Sequence, residues 1–188
     1  MRITFTLSDE QHAANDRAGI MVGLPLVVQL DAGLLVMGQD DGLGWFEKAS
    51  WGHKLLKPIS LDRLVFCGRI GQVDTWRHGD EVLCQALLDC GQPLRVEVLD
   101  PDFAAAQPGY PHHLAAGDWL VGVAILRGRV ASDPTDLLWQ PVRGTIVDIQ
   151  RLSLSPTSQT FGTLRWFHGL PRQSFAPDQV FVTVEVVE

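Results

Sequence analysis

Leu64-Val65-Phe66-Cys67-Gly68-Arg69-Ile70-Gly71-Gln72-Val73-Asp74-Thr75-Trp76-Arg77 is a long run rich in apolar and β-branched residues, interrupted twice by glycine. A glycine inside a strand-like run lets the backbone bulge or bend sharply, so the run reads as one bent strand. His78-Gly79-Asp80 then turns the chain. Val82, Cys84, Ala86 and Leu88 share one face of a second strand, Cys90-Gly91-Gln92-Pro93 turns it, and Leu94, Val96 and Val98 alternate with Arg95, Glu97 and Leu99 in a third. Period-two alternation and turn chemistry together predict a three-stranded antiparallel meander.

Asp100-Pro101-Asp102 offers an N-cap with proline at the first helical position, which predicts a short helix over about 100–106, stopped by Pro108-Gly109. A strand is predicted from Trp119 to Val130 and a fifth from Val142 to Ile149, with a turn-rich loop between them. Upstream, Ile3, Phe5 and Leu7 alternate with Arg2, Thr4 and Thr6 as in a half-buried strand, and Ser8 or Asp9 is placed to cap a short helix ending near Gly19. Two apolar runs, 26–28 and 34–37, flank Asp31-Ala32-Gly33 and read as a hairpin. Residues up to Pro58 lack periodicity and read as an irregular connection with at most one short strand. Residues 153–159 read as a surface loop, and the β-branched alternation of 180–187 as a C-terminal strand.

The whole reads as one mainly-β domain over residues 1–188, its core at 64–151, with an N-terminal extension at 1–60 and a C-terminal loop and strand at 152–188. A chain of 188 residues buries a sizeable core unaided. The first ten residues carry no apolar stretch of secretory type, and the apolar tract over 19–28 contains Pro25 and is too short to cross a bilayer, which takes roughly 20 residues. Cys67, Cys84 and Cys90 are odd in number and lack C-x-x-C spacing, so free thiols in a reducing, cytoplasmic setting are expected; a Cys84 to Cys90 bridge requires their strands to meet.

The order of a bent glycine-interrupted strand, two meander strands, a short helical element, a Gly-Asp-led strand and a fifth strand resembles an OB-fold. The resemblance is one of topology over residues 64–151 and includes no family motif. It implies an OB-like antiparallel barrel, to which this sequence adds N- and C-terminal strands and one or two short helices. Such a barrel would bind single-stranded nucleic acid, oligosaccharide or protein on its second and third strands and nearby loops. The outward residues there would be Leu83, Gln85, Leu87, Arg95 and Glu97, which form no aromatic platform for bases.

Candidate ligand contacts are Trp76 and Arg77 beside a turn, Arg95 on the third strand, and Arg127 with Arg129 at a strand end; together they would form an aromatic and guanidinium edge. Arg143, Arg151, Arg165 and Arg172 form a locally basic segment facing only Asp148. The net charge of −7 nevertheless opposes general attraction to phosphate backbones or anionic membranes. His112 and His113, with Asp100 and Asp102, have metal-ligand chemistry but lack a third ligand at characteristic spacing. Ser153, Ser155, Ser158 and His168 supply hydroxyls and a base without a nucleophile elbow, and phosphate-loop motifs are absent. No cofactor is expected. The sequence is therefore read as a non-enzymatic binding module for a protein partner or self-assembly. Single-stranded nucleic acid is one alternative, and a small-molecule barrel or enzyme lined by Trp45, Trp51 or Trp119 is another.

Overall fold

The computed structural model of the chain describes residues 1–7, 19–37, 44–78, 81–100, 114–130, 138–170 and 177–187, with backbone alone for 34–37, 75–78, 81–83 and 99–100. The fold is mainly β, and no helix occurs among the described residues. The helices expected near 8–18 and 100–106 lie outside them, apart from Asp100, which ends a strand. No described helix is long and apolar enough to cross a membrane.

Internal contacts group the chain into two compact units: Met1–Leu30 with Leu126–Glu188, and Asp31–Ile125. The second is built on the predicted meander, β5 (Arg63–His78), β6 (Glu81–Asp89) and β7 (Pro93–Asp100). β5 pairs with β6 from Arg69↔Asp89 to His78↔Glu81, and β6 with β7 from Val82↔Asp100 to Asp89↔Pro93. The register slips between Ile70 and Gln72, so Gly71 marks a bulge, in keeping with the glycine-interrupted run. The other edge of β5 pairs with β8 (Trp119–Ile125), and β8 with β3 (Gly44–Ala49). The interior holds Phe46, Leu64, Phe66, Ile70, Ala86, Leu88, Leu94, Val96, Leu120 and Ala124, all buried.

The expected hairpin at 26–37 is instead one continuous strand, β2 (Pro25–Met37). Its turn residues make a bulge. The Asp31 carboxylate accepts the Gly33 N–H at 2.6 Å, Gly33 takes a φ of 65°, and the register against β7 slips between Asp31 and Leu34. Gly33 suits this because an L-residue with a side chain is strained at positive φ. Residues 31–37 lie parallel to β7 on one side and to β3 on the other, so pairings in this unit run β2, β3, β8, β5, β6, β7 and return to β2. The stretch expected to be an irregular connection contains β3 and β4 (Leu55–Pro58), the latter paired with β5.

The predicted N-terminal strand is β1 (Arg2–Leu7), paired antiparallel with the C-terminal strand β12 (Gln179–Val186) from Arg2↔Glu185 to Leu7↔Val180. The predicted strand at 119–130 divides into β8 and β9 (Arg127–Arg129), and β9 runs parallel to β1 at Thr6↔Arg127. The strand predicted at 142–149 is longer, β10 (Val142–Leu152), and its place corrects the OB-like order. It pairs with β12, with residues 25–28 of β2 and with a short strand, β11 (Leu164–Trp166), and not with the meander. The position beside β7 is already taken by β2. Pairings in this first unit likewise return on themselves, through β2, β10, β12, β1 and β9. Ile3, Phe5, Leu26, Val28, Ile146, Ile149, Val180, Val182 and Val184 fill its interior.

The three cysteines are buried and form no disulfide, so the conceivable Cys84 to Cys90 bridge is not formed. Burial pushes the Cys90 thiol well above its ordinary range, with Cys67 and Asp89 adding to the shift. Such a thiol is inert packing at neutral pH.

Candidate functional site

The sequence-predicted contacts fall in both units. Trp76 and Arg77 are in β5, opposite Leu83 and Val82 of β6; their side chains lie outside the described residues. Arg127 is exposed and Arg129 half-buried in β9 of the first unit. His112, His113 and Asp102 lie outside the described residues, and among those described no group of three metal-binding side chains occurs.

Arg95 is not on the open face that the sequence predicts for it. Its side chain is 7% exposed and stands opposite Asp31, 8% exposed, in the parallel β2–β7 pair. Arg95 Nη2 donates to Glu97 Oε1 at 2.6 Å, Nε lies 3.7 Å from Asp31 Oδ2, and Gln85 Nε2 donates to the same Glu97 oxygen at 2.6 Å. Leu87, also expected outward, is buried. Trp51, a proposed pocket wall, is 77% exposed.

The basic segment noted in the sequence provides a different site. In the antiparallel β10–β11 pair Arg151 stands directly opposite Arg165. The ladder is extended by Phe167 N–H to the Ile149 carbonyl at 2.9 Å and Ser153 N–H to the Thr163 carbonyl at 3.1 Å. Because side chains alternate, Ser153, Arg151, Thr163, Arg165 and Phe167 share one face. The next strand places Gln179 opposite Leu152, which brings Asp178 beside Ser153. Residues 153–163 fold back through successive turns, closed by Ser158 N–H to Ser155 O at 3.0 Å and Thr163 N–H to Thr160 O at 2.9 Å, and present Ser155, Ser158 and Thr160 over the same face. The resulting cleft encloses about 330 Å³.

Like charges directly opposite on a sheet repel, so two facing arginines need compensation. Arg151 has it: Nε donates to Asp178 Oδ2 at 2.7 Å. No carboxylate pairs with Arg165 among the described residues, and Arg165 is exposed. Burial pushes the Asp178 carboxyl up, but the Leu154 N–H, the Arg151 guanidinium and the Ser155 N–H together outweigh it and hold the group below the usual carboxylate range. A carboxyl depressed in the folded state contributes stability above its unfolded pKa, and that contribution is lost as pH falls through the folded value. Asp178→Asn is therefore expected to destabilise the protein by about 1–2 kcal/mol at neutral pH. The difference from the parent should shrink as pH drops below about 4, measured by urea denaturation across pH. A difference that stayed constant with pH would contradict this assignment.

The cleft combines one available guanidinium, a second held by Asp178 and several hydroxyls, a donor-rich set suited to an anionic oxygen group. Of the residues singled out for catalysis, Ser153, Ser155 and Ser158 line it; His168 does not, and its carbonyl accepts the Val22 N–H. The lining contains no histidine or cysteine to serve as base or nucleophile. Comparison with protein-family models, with curated proteins and with solved structures finds no match to the chain.

Proposed function

We propose that this chain is a non-enzymatic binding protein, its two closed rings of strand pairings forming small β-barrels, and that it takes an anionic group of its partner in the Arg151/Arg165 cleft. The observation that carries the reading is Arg165: it stands opposite a second arginine with no carboxylate of its own among the described residues. With Arg151 compensated by Asp178, Arg165 is the guanidinium of the cleft left for an incoming anion, which would give it the partner that Arg151 has. The cleft volume suits a carboxylate or phosphoryl group with the atoms that bear it. The acidic balance of the whole chain favours a protein partner over a nucleic acid, since the arginine excess over 143–172 is local.

Titration with inorganic phosphate and with succinate, followed through arginine side-chain NMR signals, is expected to give saturable shifts at Arg165 and Arg151 in the millimolar range. Arg165→Gln should weaken binding at least tenfold, the loss of one charge-assisted contact. Shifts that fail to saturate, or an Arg165→Gln variant that titrates like the parent, would remove the cleft as a binding site.

A further inference from the structure

We propose that the partner is an extended, acidic protein segment that adds itself as a strand to the free edge of β11 and places one carboxylate on Arg165. The inference rests on the anion-binding reading of the cleft and specifies what delivers the anion.

β11 ends its sheet: it pairs with β10, and no strand lies along its other side among the described residues. Antiparallel residues alternate between pairs that exchange both backbone hydrogen bonds and pairs that exchange none. The bonds at Ile149/Phe167 and Ser153/Thr163 place Arg151/Arg165 in the bonded class, so the N–H and C=O of Leu164 and Trp166 point away from β10. Exposed edges are commonly blunted by shortness, charged side chains, proline or a covering loop. Of these β11 has its shortness and the charge of Arg165, but no proline interrupts 164–166, and among the described residues no segment pairs along its outer side there. It also bears Trp166, 69% exposed, although tryptophan is ordinarily among the more buried residues. Tryptophan and arginine are also the side chains enriched where proteins dock.

The alternation fixes the pattern of the occupant. A strand laid on this edge presents the residue opposite Arg165 on the cleft face and its two neighbours on the Trp166 face. An acidic residue flanked by apolar ones therefore matches all three positions. The sign is set by Arg165, the one charge on the strand. With β11 only three residues long, few backbone hydrogen bonds form, so affinity should be modest, roughly tens of micromolar.

The test uses the full chain and a fluorescein-labelled peptide, Gly-Ser-Val-Glu-Val-Ser-Gly amide, read by anisotropy. Binding is expected, and it should weaken at least tenfold when the peptide's glutamate is replaced by lysine or the protein carries Arg165→Gln. Methylation of the two valine nitrogens, which keeps the charge and removes the edge hydrogen bonds, should weaken it as much. Trp166→Pro, which removes an edge donor without touching the β10 ladder, should do the same while phosphate binding persists. Equal binding of the methylated peptide would overturn strand addition, since charge alone would then hold the peptide. Binding of phosphate and succinate without the peptide would overturn the partner and leave the cleft. Loss of all three would overturn both. A labelled single-stranded oligonucleotide binding more tightly than the peptide would replace the protein partner with a nucleic acid.

Discussion

Arg95→Ala is expected to lower the unfolding free energy by about 3–5 kcal/mol, because it strands the buried Asp31 and the half-buried Glu97 without their shared cation. The loss should exceed what the shortened side chain alone explains. Arg95→Met, which keeps an apolar stem of similar reach, should remain costly for the same reason. Pairing it with Asp31→Asn should recover part of the loss. The asparagine oxygen can still accept the Gly33 N–H, so the bulge of β2 is retained while the buried charge that faced Arg95 disappears. Two changes that each destabilise the parent should then combine to less than their sum, the signature of groups in one charge network. Urea denaturation followed by tryptophan fluorescence measures the four variants, Arg95→Ala, Arg95→Met, Asp31→Asn and the Arg95→Met/Asp31→Asn pair. An Arg95→Met variant within about 1 kcal/mol of the parent, or strict additivity with Asp31→Asn, would falsify the view that this ion network holds the parallel β2–β7 pair together.

That network marks where the sequence stopped being legible. Leu94, Val96 and Val98 alternate cleanly with Arg95 and Glu97, which identifies β7 and places the arginine on the opposite face from the core. Alternation says which residues share a face. It does not say whether the second face is covered, and here Leu87 and Arg95 are both buried on it. The same limit applies to strand partners. β10 is readable as a strand from Val142 and Ile146, yet its neighbours, β12, β11 and β2, are set by tertiary packing, which a local period does not carry. Asp31 and Gly33 carry correct turn chemistry, an aspartate accepting from the backbone two residues on and a glycine at positive φ, but a bulge uses the same chemistry as a hairpin turn. As for the cleft, the arginine excess over 143–172 is visible in the sequence. The Arg151 to Asp178 pair spans 27 residues, and the Arg165 register depends on a three-residue strand too short to announce itself.

Gly122→Ala should be the more damaging change relative to its size, at about 3 kcal/mol for one methyl group. Gly122 sits in β8 between Phe46 of β3 and Phe66 of β5, directly opposite both. Both phenylalanines are buried, and the tip of the Phe66 ring lies over the place a Gly122 side chain would take. A Cβ at this position would run into the Trp45 carbonyl oxygen and lie 2.9 Å from Phe66 Cζ and 3.0 Å from Phe46 Cα. Two of those three obstacles are backbone, so no rotamer change relieves them and β3 would have to move away from β8. Conformation is not the obstacle, because Gly122 is not at positive φ. A glycine replaced by alanine in a compatible backbone ordinarily gains about 0.4–1 kcal/mol from the unfolded state, which makes the expected sign diagnostic. Gly71→Ala supplies the comparison. It lies at the β5 bulge, where an added methyl group would meet no atom nearer than 3.8 Å, and it should be neutral or slightly stabilising. If the two variants unfold at the same urea concentration, steric exclusion at the Phe46–Gly122–Phe66 row is not what holds β3 and β8 in register.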